Sequence, residues 1–217
     1  MLENLDHIIL GCSDLDAGIA YLEKLSGYRA AFGGSHPSRG TRNALLKMGP
    51  HSYLEILAPD PEQNGLQWHK EIAELSEPML IGWAMKDSKL DDMAATFRKR
   101  GIEVIGPVQG SRATPSGEVL RWTTLSRVND VNGILPFYIA WDPACEHPSE
   151  DAPGGCLLLD FRHTGKLMEE FPPKPGYKIS PYPAEAKFER AQLRARIAGQ
   201  LGEFILMSRS VPSNART

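Results

Sequence analysis

An internal repeat constrains this chain more than any other feature. Residues 13–16 read Ser-Asp-Leu-Asp and residues 88–91 read Ser-Lys-Leu-Asp, 75 positions apart, each just past a strand-like apolar run. A helix-like stretch follows in each copy and closes on a glycine, Gly27 and then Gly101, 74 positions apart. Leu15, Ile19 and Leu22 in the first copy, and Leu90, Met93, Ala94 and Phe97 in the second, recur at helical spacing, so each helix has one apolar face to bury. Ser13 and Ser88, each with an aspartate three residues on, are read as N-caps of a capping-box kind. Further strand-like runs come next: Tyr28 to Phe32 and Asn43 to Met48 in one copy, Glu103 to Ile105 and Val119 to Thr124 in the other. Each copy ends on a run closing Ala58-Pro59-Asp60-Pro61 or Ala140-Trp141-Asp142-Pro143, where the offset has grown to 82 through extra loop.

The order strand, helix, three strands thus occurs twice. A unit of this kind leaves one sheet face bare, so the two copies bury each other and form one body. The expected fold class is α+β: paired βαβββ modules, about 1–62 and 78–145, forming a half-barrel sheet in a domain over 1–145. The Leu66 to Leu75 stretch links them as a helix. In the extension over 146–217, Leu157 to Phe161 is strand-like and the proline-dense run Phe171 to Pro183 is a loop. Ala184 to Gly202 fits either a helix or a hairpin turning at Gly199 to Gly202. The extension is read as a partial, degenerate third βαβββ unit packed on the pair.

A net charge of -3 and a pI near 6.1 give no basic field, which disfavours nucleic acid as a partner. The N-terminal stretch reaches charge within three residues and offers neither a signal segment nor a membrane span, so a cytoplasmic protein with no membrane partner is expected. Cys12, Cys145 and Cys156 show no CxxC spacing, so reduced structural thiols are expected. No Walker loop or dinucleotide fingerprint is present, and no nucleotide cofactor is expected.

Leu5-Asp6-His7-Ile8-Ile9-Leu10, followed by the Asp-Leu-Asp helix start, resembles the opening of the vicinal-oxygen-chelate superfamily of glyoxalases, bleomycin-resistance proteins and dioxygenases. His36-Pro37, Gly40-Thr41, Asn43-Ala44-Leu45 and Tyr53-Leu54-Glu55-Ile56-Leu57-Ala58-Pro59-Asp60 are similar to its glyoxalase-like subgroup. So are Arg112, Pro115-Ser116-Gly117, Leu120-Arg121-Trp122 and Leu135-Pro136-Phe137-Tyr138-Ile139-Ala140-Trp141 in the second half. These matches span roughly the first 145 residues.

The resemblance implies metal ligands from the first and last strands of each module. His7 and Glu55 take those places in module one and imply one divalent ion, zinc, iron, nickel or manganese. Strand alternation puts Leu5, His7 and Ile9 on one face, and Tyr53, Glu55 and Leu57 on one face. The repeat offsets carry His7 onto Gly82 and Glu55 onto Phe137, neither of which can ligate. The ion is therefore optional: either His36, His163 or another group completes the set, or His7 is hydrogen-bonded to Glu55 or to backbone without metal.

The implied ligand is a small oxygen-rich or aromatic molecule in the half-barrel, turned over by an isomerase-, lyase- or dioxygenase-type enzyme. A metal-free binding or resistance protein is the alternative. Glu55 and His36 are the candidate catalytic residues, and Asn43, Arg112, Arg121 and Trp122 the candidate substrate-binding ones. Trp83, Trp122 and Trp141 form either an aromatic wall or ordinary core. A homodimer is expected from the habit of relatives.

Overall fold

Both copies of the repeat fold as strand, helix and three strands. The computed structural model describes residues 4–37, 39–63, 67–128, 133, 135–164, 190–209 and 211–212. Module one comprises β1 (Leu5–Gly11), α1 (Leu15–Ser26), β2 (Ala31–His36), β3 (Thr41–Gly49) and β4 (Ser52–Pro59). The linker helix is α2 (Gln67–Ala73). Module two comprises β5 (Met79–Lys86), α3 (Leu90–Lys99), β6 (Val104–Ala113), β7 (Val119–Arg127) and β8 (Phe137–Trp141). The extension adds α4 (Pro148–Asp151), β9 (Leu157–Thr164), β10 (Arg190–Gly199), β11 (Gly202–Met207) and β12 (Val211–Pro212).

The two modules share one eight-stranded sheet in the order β2-β3-β4-β1-β5-β8-β7-β6, curled into a half-barrel. Its centre is the antiparallel pair β1 and β5, with Ile8 opposite Trp83, Ile9 opposite Gly82 and His7 opposite Ala84. Ile8 and Trp83 are equivalent positions of the repeat and the pairs on either side of them are crossed, His7 meeting the equivalent of Ile9 and Ile9 the equivalent of His7, so a pseudo-two-fold axis passes through the Ile8 and Trp83 pair. The outer register confirms the larger offset, because β4 places Glu55 beside Ile9 while β8 places Phe137 beside Ala84.

Each first strand carries one extra residue relative to its partner. Leu5 faces Met85 and His7 faces Ala84, so Asp6 is bulged; Ile9 faces Gly82 and Leu10 faces Leu80, so Ile81 is bulged at the equivalent place. The bulge breaks the expected alternation. Leu5 packs into the main core with Ile8 and Leu10, while His7 and Ile9 face the concave side. Leu5 therefore does not share a face with His7 and Ile9, because one inserted residue inverts the pleat.

The helices cover the other side through the faces the spacing identifies: Leu15, Ile19 and Leu22 from α1, and Leu90, Met93, Ala94 and Phe97 from α3. Gly27 ends α1 in the left-handed region at φ 78°, and Gly101, at φ 74°, follows α3. The caps differ from expectation. Asp14, not Ser13, caps α1 by accepting from the Ala17 amide at 2.8 Å, and Ser88 is no cap, since Lys89 occupies that position without a side-chain bond. An aspartate one residue nearer the helix wins at the first site, while Asp87 bonds the Lys89 amide ahead of the second helix.

β2 begins at Ala31 rather than Tyr28, because Tyr28 is held in the helix exit by the Ser26 hydroxyl. β6 runs on to Ala113, through Gly106-Pro107, which an edge strand tolerates.

In the extension, β10 pairs antiparallel with β9, β11 and β12, and the hairpin reading holds for β10 and β11, which turn between Gly199 and Gly202. Residues 184–189 and the proline-dense run lie outside the described residues. Phe161, Leu193, Ile197, Phe204 and Leu206 join the main core, and Phe161 meets Trp83 edge-on at 5.1 Å. Trp83 is thus core and not pocket wall. Cys12, Cys145 and Cys156 are free thiols, and burial pushes Cys12 up to about 12. Among the described residues no helix is long and apolar enough to cross a membrane.

The free edges of the half-barrel, β2 and β6, meet. Arg112, at the end of β6, donates to the Gly33 carbonyl, and a Cβ on Gly34 (φ 142°) would lie 2.3 Å from the Ala113 carbonyl oxygen. Only glycine permits that approach. Gly34→Ala is therefore expected to lower stability by about 1–3 kcal/mol, read as a lower denaturant midpoint at unchanged slope. An unshifted midpoint would mean the two edges do not touch.

Candidate functional site

The concave face of the sheet forms a half-open cavity of about 130 Å³ lined from both modules. His7 and Ile9 reach it from β1, Tyr53, Glu55 and Leu57 from β4, Asn43 from β3 and His36 from the end of β2. Arg112, Trp122, Phe137 and Trp141 complete it from module two. The face of β4 carrying Tyr53, Glu55 and Leu57 is the one alternation assigns. The linker closes one side, because Ile72 of α2 packs on Ile9 and Leu57.

Glu55 is the centre of this arrangement. It is 7 % exposed, and its Oε1 accepts a hydrogen bond from Asn43 Nδ2 at 2.6 Å. Its other oxygen faces His7 Nε2 at 3.6 Å, while His36 Nε2 stands 4.0 Å from Oε1. The same Asn43 amide reaches His36 Nε2 at 3.5 Å, and the far nitrogen of His36 meets the Thr41 hydroxyl at 3.0 Å. Burial pushes His36 down to about 4 against the pull of Glu55, so this imidazole is neutral near neutral pH.

His7 is held on its other side by Asp6, whose Oδ1 lies 2.6 Å from Nδ1. The His7 ring stacks on Tyr53 at 4.7 Å and meets Phe137 at 5.5 Å. Burial raises the Tyr53 hydroxyl well above its ordinary pKa, with Asp6 and Glu55 adding to the effect, so it stays a phenol and a donor. Arg112, 4 % exposed, is lowered by burial while Tyr53 and Glu55 push back; a guanidinium keeps its charge under such a shift.

Of the candidate residues, His7, His36, Asn43, Glu55, Arg112 and Trp122 converge on the cavity. Arg121 does not. It is exposed on the opposite side of β7, beside an outer groove of about 750 Å³. The His163 side chain lies outside what is described. Asp6 and His147 are part of the site's support, and sequence reasoning missed them. Asp6 should point away from the cavity by alternation, and nothing in the residues around His147 marks it.

The four-ligand metal site that the resemblance implies is not matched by the residues present. The positions equivalent to His7 and Glu55 are Gly82 and Phe137 in the observed register, and the Phe137 ring lies against His7. Among the described residues no group of three or more His, Cys, Asp or Glu side chains is arranged to hold an ion.

Comparison with known proteins agrees with this architecture. A family model described as a glyoxalase-like domain matches residues 5–161. No curated protein matches the sequence. A hypothetical protein from Staphylococcus aureus shares the fold at TM-score 0.59 and 15 % identity, over 96 % of this chain and 87 % of that one. Methylmalonyl-CoA epimerase from Mycobacterium tuberculosis aligns at 22 % identity and TM-score 0.47, over 66 % of this chain and 90 % of its own. The Streptomyces coelicolor methylmalonyl-CoA epimerase in complex with 2-nitronate-propionyl-CoA aligns at 26 % and 0.47, over 64 % and 97 %. With a family model covering both modules and a sheet built on their pseudo-two-fold axis, the chain belongs to the glyoxalase-like domain family of the vicinal-oxygen-chelate superfamily.

Proposed function

We propose that this chain is an isomerase- or lyase-type enzyme that moves a proton on a small oxygen-rich molecule, with Glu55 as the base. The observation that carries the reading is a buried carboxylate, fixed by Asn43 on one oxygen and facing His7 with the other, in a half-open cavity that also holds Arg112. A hydrogen-bonded general base beside a buried cation is the equipment for abstracting a proton next to a carbonyl. The proton passes to Glu55, the electron pair moves onto the carbonyl oxygen, and Arg112 and the Tyr53 hydroxyl stabilise that oxyanion. Return of the proton to another position completes an isomerisation; loss of a β-substituent completes a lyase reaction. Neutral His36 keeps the Asn43 amide turned toward Glu55 and takes no proton at neutral pH.

Size limits the part of the substrate that enters the cavity. A closed cavity of about 150 Å³ holds one benzene, so about 130 Å³ accommodates a group of roughly that bulk. Trp122, Phe137 and Trp141 give it an apolar wall. A dioxygenase reaction draws less support from this donor set, in which the second-module positions carry no ligand. A second reading, a metal-free binding or resistance protein, is favoured by that same loss at Gly82 and Phe137.

Solvent-deuterium exchange into a panel of small 2-oxo acids and hydroxy ketones separates the two. The enzyme reading expects exchange that falls by about 10²–10⁴-fold in Glu55→Gln. Tight binding with every ligand recovered unlabelled sinks it in favour of sequestration.

The neutral His36 also leaves a signature in stability. Its folded-state pKa of about 4 lies below the ordinary 6.5. Between those values the unfolded chain binds a proton that the folded chain does not, so stability falls as pH falls through this window, by at most on the order of 3 kcal/mol. His36→Gln is expected to flatten that dependence. An identical slope in variant and wild type, measured by denaturation at several pH values, would show that His36 is not held neutral.

A further inference from the structure

We propose that Asp6 is a positioning residue for the site, and that through it the second module, which lacks ligand side chains, sets the orientation of His7. This inference rests on Glu55 and His7 forming the working pair.

Asp6 is fully buried on the central strand. Three ring N–H groups converge on its carboxylate: His7 Nδ1 at 2.6 Å on one oxygen, and His147 Nε2 and Trp141 Nε1, each at 3.0 Å, on the other. Lys86 Nζ adds an ion pair at 3.9 Å. Three of those partners come from module two or just beyond it: Lys86 ends β5, Trp141 ends β8 and lines the cavity, and His147 caps α4.

The cap fixes one tautomer. His147 Nδ1 accepts from the Ser149 amide at 3.2 Å, so the ring proton sits on Nε2 and points at Asp6. With that oxygen occupied by His147 and Trp141, the remaining one takes His7 Nδ1–H. The His7 Nε2 is thereby left facing Glu55, where it exchanges protons with the base or with substrate.

Fold geometry alone does not require an acid here. The bulge recurs at the equivalent position of module two, and its residue there is Ile81, which packs with Ile9 and Leu57. The repeat needs a bulged residue at this place, and only module one makes it a carboxylate. The bulge is what brings Asp6 within reach of the ring of its own chain neighbour; on a regular strand the two side chains point to opposite faces.

The test is ¹⁵N-imidazole NMR on the full chain at about pH 9, well above the ordinary histidine range. In the wild type, His7 is expected to carry its proton on Nδ1 and His147 on Nε2. In Asp6→Ala the His7 proton is expected to move to Nε2, where Glu55 accepts it. A wild-type His7 protonated at Nε2 overturns the proposal, as does a His7 proton that stays on Nδ1 in the folded variant. Should Asp6→Ala not fold, the wild-type assignment still decides. The readout is the position of a ring proton, not turnover, so it succeeds or fails apart from the role given to Glu55.

Discussion

One register, β1 against β5 with Ile8 opposite Trp83, governs the rest of this molecule. Two βαβββ units, each with a bare sheet face, become a single curved sheet only if their first strands pair antiparallel at the centre. Once they do, the last strand of each module lies beside the first, and the same geometry that buries Ile8, Leu10 and Trp83 on one side brings His7 and Glu55 together on the other. The core and the site are two faces of one pairing. A slip of one residue would put imidazole and carboxylate into the helix-covered face, where nothing could satisfy them.

That economy leaves a problem of charge. Asp6, Glu55 and Arg112 are all buried, and each isolated charge in such surroundings would be costly. The structure resolves it with directed hydrogen bonds rather than bare ion pairs. Burial alone would raise Asp6, but bonds from His147 and His7 outweigh it and hold the carboxyl well below the usual range. Glu55 takes the Asn43 amide, and Arg112 spends one N–H on the Gly33 carbonyl, tying the free edges of the half-barrel while its charge stays in the cavity. The groups that shape the site thus also help close the sheet around it.

Much of this could be read from the chain itself, because the repeat is written in apolar spacing and turn residues that local physics fixes. The 75- and 82-residue offsets lead directly to the register, and with it to Gly82 and Phe137 in the places of the missing ligands. His7, Asn43, Glu55, Arg112 and Trp122 were legible through the family resemblance, because each stands in one of the glyoxalase-like motifs. What was not legible depends on departures from regular strands or on long-range packing. The bulge at Asp6 moves Leu5 to the other face and brings a carboxylate beside the wrong neighbour for simple alternation. Asp14 displaces Ser13 as a cap by one position. His147 gains its importance only because the chain after β8 folds back on β1, across 141 residues of sequence. Arg121 belonged to a family-like motif, yet its place on β7 turns it outward.

On the proposed function, one module's imidazole and carboxylate, steered by hydrogen bonds, form a working site without the second module's metal ligands. Elemental analysis of protein purified without added metal or chelator decides this. Zinc, iron, nickel and manganese are each expected well below one equivalent per chain, with no dependence on His7. Near-stoichiometric metal that disappears in His7→Ala would contradict it.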